Sequence, residues 1–325
     1  MATCKHCGKT LILKNGVCIY CGISPNEHIR KGSDESPKTD LPPVKVFNIE
    51  GVSFKMILVE GGKFYMGLTP KEAQNLMNEG VDWRRKAPIV SVDSYYICET
   101  VVTQALWKAI MNMSTVTQAF WKSSLLGDIN NPSKYKGDNL PVDNVSWNNC
   151  QEFIERLNAF MGLRFRLPTE AEWEFASKGG NLSKGYEFSG SNNLSDVAWV
   201  LDEGQQAYSN TTKPIKTKLP NELGIYDMTG NVWEWCQDEY DEIAVEKYGD
   251  RSGNHQEVCL GLRGTKILRG FSAFSYASTI CNYPSYRKYQ YPNLRNPSLS
   301  DNGYKIEGWG YDAFGFRLAM NADKQ

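Results

Sequence analysis

Four cysteines near the start of the chain, Cys4, Cys7, Cys18 and Cys21, form two Cys-x2-Cys pairs. Paired knuckles of this kind bring four thiolates to tetrahedral distance and hold zinc structurally, with no coordination position left for a substrate. Gly8 and Gly22 follow the pairs and admit the tight knuckle turns. A redox role for either pair is the competing reading. A second constellation lies at residues 224–238 (GIYDMTGNVWEWCQD), where Asp227 and Glu234 flank Thr229-Gly230-Asn231. Thr-Gly-Asn is turn chemistry, because Gly accepts positive φ and Asn tolerates it. A turn there lets both carboxylates reach one point with backbone carbonyls between them, an oxygen-only set that suits a hard cation such as Ca2+. The same residues also describe a buried turn in which Trp233 and Trp235 pack in the core and the acids cap backbone amides. A third group, Glu170, Glu172 and Glu174, is read as capping and solvating a helix. No histidine lies near it for acid-base work, His6, His28 and His255 being scattered.

Composition bounds what these groups can serve. At 325 residues the chain accommodates one large domain with an appendage. A formal net charge of -1, with acids and bases interspersed, provides no electrostatic footprint for nucleic acid. No apolar run approaches the roughly eighteen residues that span a bilayer. Residues 1–10 (MATCKHCGKT) lack the apolar centre of a secretory signal, so a cytoplasmic location with reduced thiols is expected. Nine tryptophans exceed the needs of a core this size, which points some of them at a surface or site.

The elements that must position these groups divide the chain into three parts. Residues 1–24 form the zinc ribbon, with almost no apolar core of its own, so the metal would hold it together. Residues 25–43 are polar, charged and proline-rich and read as a flexible linker. Residues 44–322 form the main domain. Within it, residues 44–59 are β-branched and partly alternating, hence strands. VTQALWK (102–108) recurs as VTQAFWK (116–122), each with a threonine N-cap, Thr103 and Thr117, ahead of helix formers. Residues 148–161 form an amphipathic helix with Phe153, Ile154, Leu157 and Phe160 on one side. Thr169-x-x-Glu172 is a capping box that starts a helix ending at Gly179-Gly180. The stretch 181–220 is loop-rich, and its Asn192, Asn193, Asp196, Asp202 and Glu203 are candidates for a second cation site.

Four blocks, MILVEGGKFYMG (56–67), RLPTEAEWEFA (166–176), GIYDMTGNVWEWCQ (224–237) and GFRLA (315–319), resemble the formylglycine-generating (sulfatase-modifying factor) family. The resemblance runs from about residue 47 to 320 and implies an α+β fold of C-type-lectin-like type with much irregular structure. At the central loop it implies a calcium bound by the Asp227 and Glu234 side chains and by the carbonyls of Gly230 and Val232. This chain has Asp at the first of these positions, where many relatives carry Asn. The family's oxidase converts a substrate cysteine to formylglycine through two Cu(I)-binding cysteines that follow an Arg-Gly-Gly-Ser turn. Here that turn is Arg269-Gly270-Phe271-Ser272, and the cysteine positions fall on Ser275 and Ile280. Cu(I) is a soft ion that needs those sulfurs. Cys281, one residue away, supports an oxidase only with a rearranged thiol and copper site involving Cys236 or Cys259.

Aromatic and polar residues crowd the stretch 271–312 instead. Phe274, Tyr276, Asn282, Tyr283, Tyr286, Arg287, Tyr289, Tyr291, Arg295, Trp309 and Tyr311 have the mixture that recognition loops use. In placement the segment also resembles the variable region of proteins diversified by diversity-generating retroelements. The expected function is a non-catalytic module that binds a protein or glycan through residues 271–312, while the zinc ribbon docks to another partner. The alternative is a formylglycine-generating oxidase acting on a sulfatase cysteine.

Overall fold

A computed structural model describes residues 13–14, 17–18, 41–67, 88–113, 130–201, 211–239, 264–275, 284, 286–293 and 313–322. The chain divides into two compact units, Met1–Leu41 and Pro42–Gln325. In the first, β1 (Leu13–Lys14) and β2 (Val17–Cys18) pair antiparallel, Leu13 opposite Cys18. This short hairpin follows the first cysteine pair and ends on Cys18, the first residue of the second. Cys4, Cys7 and Cys21 lie outside the described residues, as do the linker to residue 40 and the second copy of the VTQA motif.

In the second unit, β3 (Val44–Ile49), β4 (Val52–Val59) and β7 (Tyr95–Cys98) join a five-stranded antiparallel sheet of order β3-β4-β7-β13-β8. Its remaining strands are β8 (Phe165–Arg166) and β13 (Ala319–Asn321). β5 (Gly62–Tyr65) and β6 (Ile89–Val92) make a separate two-stranded ribbon. A four-stranded sheet of order β11-β10-β9-β12 is built from β9 (Trp233–Glu239), β10 (Lys266–Arg269), β11 (Arg287–Gln290) and β12 (Phe314–Gly315). In it, β12 runs parallel to β9 and the other pairs are antiparallel. The chain therefore passes from β12 in one sheet directly into β13 at the heart of the other. Phe316, Arg317 and Leu318 make this crossing fully buried.

The helices form where caps and apolar stripes coincide. In α1 (Gln104–Met111) the Thr103 hydroxyl accepts from Leu106 N at 3.2 Å, the N-cap expected from the motif. α2 (Trp147–Met161) starts from a Ser146/Asn149 capping box and stops at Gly162. Its Phe153 stacks on Trp107 of α1 at 5.3 Å and meets Phe316 edge-on. Phe160, expected on the same stripe, is 54% exposed, because the last turn of α2 runs past the core it packs against. α3 (Glu170–Ser177) begins at the predicted Thr169/Glu172 box and lays Trp173, Phe175 and Ala176 on Tyr95, Ile97, Cys236 and Ile267. A short α4 (Leu194–Val197) follows, capped by Asn193. Among the described residues, no helix is long and apolar enough to cross a membrane. The segment read as loop from 271 onward contains a strand, β11.

Candidate functional site

The turn at 229–231 is set by close approach. Gly230 has φ 81 and lies so near Trp199 that a Cβ would stand 2.4 Å from the Trp199 carbonyl oxygen. Asn231 follows at φ 66, and its side chain clamps a neighbouring loop, accepting from Lys213 N at 2.9 Å and donating to Lys213 O at 3.1 Å. Gly230 N donates to Gly270 O at 2.6 Å and Ala273 N to Asn231 O at 2.9 Å, so this turn and the one at 269–273 are bonded face to face.

The two acids around the turn have different partners. Glu234 is fully buried, and Arg317 holds it with Nε on Oε2 at 2.6 Å and Nη2 on Oε1 at 2.7 Å. Trp173 Nε1 also donates to Oε2, at 2.8 Å. Burial lowers the affinity of Arg317 for its proton, but Glu234 outweighs this and holds the guanidinium above its ordinary value. Asp227 is buried, with no ion pair among the described residues; its Oδ2 accepts from Lys216 N at 3.0 Å, and burial pushes its carboxyl up. For the calcium expected from the sequence, Asp227 would supply its carboxylate and Glu234 its Oε1, which keeps a lone pair beyond its bond to Arg317. The Gly230 carbonyl, which accepts from Val232 N at 2.9 Å, and that of Val232 complete the set. Oε2 accepts from both Arg317 and Trp173, so Glu234 would bind such an ion through Oε1 alone.

The three acids of α3 require a correction. They are buried, at 4%, 8% and 1% exposure for Glu170, Glu172 and Glu174, and only Glu172 caps the helix. Arg287 forks Glu170 at 2.6 and 2.5 Å, and Arg166 forks Glu172 at 2.7 Å on each arm. Glu174 receives Arg269, Lys178 at 2.6 Å and the Gly67 amide at 2.7 Å. Burial alone would raise the Glu174 carboxyl, but Lys178 and Arg269 hold it below the ordinary carboxylate value. Arg269 also donates to Tyr286 O at 2.9 Å and lies over the Trp173 ring at 5.5 Å. A buried ionic ladder thus ties β10 and the edge strand β11 to α3, where solvated charges were expected.

Comparison with known proteins agrees with this architecture. The family described as the sulfatase-modifying factor enzyme 1-like domain matches residues 48–322. The chain belongs to this family. It is 31% identical over 231 residues to the chaperone protein LppX of Paenibacillus barcinonensis, covering 57% of this chain and 71% of that one. It is 30% identical over 200 residues to the formylglycine-generating enzyme of Streptomyces coelicolor, covering 57% of this chain and 54% of the enzyme. Among solved structures, Treponema denticola variable protein 1 superposes with a TM-score of 0.58 at 25% identity, over 86% of this chain and 99% of that one. The fold is accordingly the α+β, C-type-lectin-like one of sulfatase-modifying factors.

The turn at 269–272, after which the family resemblance places the copper cysteines, is lined here by Phe271, Ser272 and Ser275. Ser275 lies with its hydroxyl 3.2 Å from that of Ser272, and its carbonyl accepts from Leu201 N at 2.9 Å. Phe271, where the family pattern has glycine, is held at φ 70. It is buried, with its ring 4.6 Å from that of Trp233 and 4.9 Å from that of Tyr286. Ile280, Cys281 and Cys259 lie outside the described residues. The described free cysteines, Cys98, Cys150 and Cys236, are all buried. Burial pushes the Cys98 thiol up to about 11 and those of Cys150 and Cys236 well above their ordinary value.

Of the expected binding residues, the structure brings Tyr286, Arg287 and Tyr291 to the edge strand β11 and its exit. Tyr291 is 44% exposed, Tyr286 is partly buried, and Arg287 is engaged by Glu170. Phe274 is buried, stacked on Tyr135 at 6.4 Å, and supports the turn from beneath. Tyr289 contributes its backbone to β11, opposite Ile267. Tyr276, Asn282, Tyr283, Arg295, Trp309 and Tyr311 lie outside the described residues. Of the candidates for a second cation site, Asn193 caps α4 and Asp196 lies in its first turn, and the two bond Ser191 and each other. Sequence reasoning missed Arg269 and Arg317, whose signal was a lone arginine inside each apolar run, ILRG and GFRLA.

Proposed function

We propose that this protein is a non-catalytic binding module of the sulfatase-modifying factor family, which presents the aromatic-rich segment 271–312 to a protein or glycan. The observation that carries the proposal is the turn at 269–275. The first thiolate position is a serine whose hydroxyl faces Ser272, and the glycine of the family turn is a phenylalanine packed against Trp233 and Tyr286. Cu(I) chemistry needs two thiolates, and a buried thiol such as Cys236 ionises only at high cost. Likeness to a variable protein and to a chaperone supports binding as the retained role. In this reading calcium braces the central turn through Asp227, Gly230, Val232 and Glu234, and zinc braces the ribbon through Cys4, Cys7, Cys18 and Cys21. The protein works in the cytoplasm, where its thiols stay reduced, and the ribbon provides a second docking point.

The test has two arms. The full chain is incubated with Cu(I), oxygen, a reductant and a cysteine peptide from a sulfatase, and mass spectrometry looks for formylglycine. None is expected, and its formation would establish the oxidase instead. In the second arm the chain is screened against glycan arrays and displayed peptides. Ligands retained by the parent and lost in Tyr286→Ala and Tyr291→Ala variants are expected; retention that ignores both tyrosines would move binding elsewhere.

A further inference from the structure

Two loops that the family resemblance left without a role meet beside the turn at 269–275. Residues 131–140 and 211–218 are joined by a bond from Ile215 N to Asn139 O at 2.9 Å. From these loops and the adjoining stretch, Tyr135, Trp199 and Ile215 lie partly buried against a core of Val101, Val232, Ala273, Phe274 and Ala313. Lysines surround that apolar centre. Lys218 Nζ sits 4.1 Å from the centroid of the Trp199 ring and Lys213 Nζ 5.8 Å from it, while Lys134 Nζ lies 5.0 Å from that of Tyr135.

Among the described residues, the ammonium groups of Lys213, Lys218 and Lys136 bond neutral oxygens, those of Thr211 Oγ1, Ser195 O and Asn131 O. Among the described residues, nearby carboxylates have other partners: Glu99 pairs with Lys216 at 2.9 Å and with Lys55 at 3.8 Å, Asp138 pairs with Lys108, and Asp196 accepts from Ser191 and Asn193. A cation over an aromatic face gains a modest attraction and keeps most of its field for solvent. The result is a positive rim around a partly apolar centre, on a chain whose net charge is only -1.

We infer that this lysine-ringed surface binds an acidic polypeptide segment, one in which carboxylates alternate with apolar side chains. The inference rests on the binding-module reading and gives its partner a chemistry. The disposition of the rings favours a polypeptide over a sugar or a nucleobase. Lys218 lies over the Trp199 ring, and the Tyr135 ring meets both Phe274 and Lys134, so a stacking ligand would have to displace contacts that each ring already makes. What the patch offers is ammonium groups for carboxylates and ring edges with the Ile215 side chain for apolar groups. Leu201 N bonds Ser275 O at 2.9 Å, which places this surface next to the display segment.

The test uses the full chain and a labelled copolymer of glutamate and tyrosine, read by fluorescence anisotropy at low and physiological salt. Binding is expected, weakening with salt. It should fall by about tenfold in a K213E/K218E double variant, because like charges then face the ligand. A K45E variant, altered on β3, should bind as the parent does, and thermal melts of both variants should match the parent. No binding at low salt, or equal binding by K213E/K218E, overturns the inference. So does preferential binding of a heparin-derived oligosaccharide or an oligothymidylate over the copolymer. If glycan or peptide ligands from the screen depend on Tyr286 or Tyr291 but not on the lysines, the patch fails while the binding-module reading stands.

Discussion

Arg317 and Glu234 face each other as two parallel hydrogen bonds of 2.6 and 2.7 Å, with neither side chain exposed. Arg317 also donates to Cys98 O and Tyr226 O, both at 3.1 Å, so one guanidinium joins β9, β7 and the loop before the central turn. Removing one partner of a buried pair leaves an uncompensated charge, a loss of about 3–5 kcal/mol. Arg317→Met should therefore lower the free energy of unfolding in urea by about that amount. The double variant R317M/E234L should recover much of the loss, because the stranded carboxylate is gone. Additive losses would show that the two side chains act independently.

Glu174 gives the acid limb of the stability profile. Its carboxyl is held below the ordinary value of 4.5, so the folded state releases this proton more readily than the unfolded one. The stabilisation is then present above that value and is lost as pH falls through the lower folded value. Thermal midpoints taken from pH 7 downward should fall less steeply in Glu174→Gln than in the parent, from a lower starting point. Parallel curves would show that other carboxylates govern the acid transition.

The contrast between Glu172 and its neighbours shows what could be read without coordinates. Thr169-x-x-Glu172 is a local pattern, and the helix began at that box. The Thr229-Gly230-Asn231 turn was equally local and has the positive φ expected of it. The arginine partners of Glu170 and Glu174, by contrast, lie 117 and 95 positions further along, and no periodicity links a carboxylate to an arginine at that distance. Burial of those acids became visible only when β10 and β11 were laid against α3. Phe160 shows the reverse case, where a correct helical stripe outran the surface available to cover it. The lysines of 211–218 follow no period at all, and only the fold shows which rings they cover.

Phe271 offers a test of backbone conformation separate from ring packing. An L-residue at φ 70 carries strain of about 1–2 kcal/mol that glycine does not. Deleting the ring should cost about 3–5 kcal/mol in either small variant. Phe271→Gly should nevertheless be the more stable of the two, by up to ~1 kcal/mol over Phe271→Ala, once glycine's greater unfolded-state entropy is counted. At an ordinary negative φ the order would be reversed. Urea titration of both variants decides it, and a more stable alanine variant would mean that the turn had relaxed out of the left-handed region.

Calcium and protons should compete for Asp227. Burial raises this carboxyl, so the metal-free folded state is favoured by protonation: that contribution is complete below the ordinary value of 3.8 and disappears as pH rises through the folded value. A cation bound at Asp227 would replace the proton, and at one hundred times its dissociation constant it adds about 2.7 kcal/mol to stability. The calcium-dependent rise in melting midpoint should therefore be larger at pH 7 than at pH 4. It should vanish in Asp227→Ala and shrink in Glu234→Gln, where one ligand oxygen loses its charge. A rise that persists unchanged in Asp227→Ala would place the ion elsewhere. With no rise in the parent after chelation and calcium addition, the central turn would be held by the Arg317 pair and the Lys216 amide without a metal.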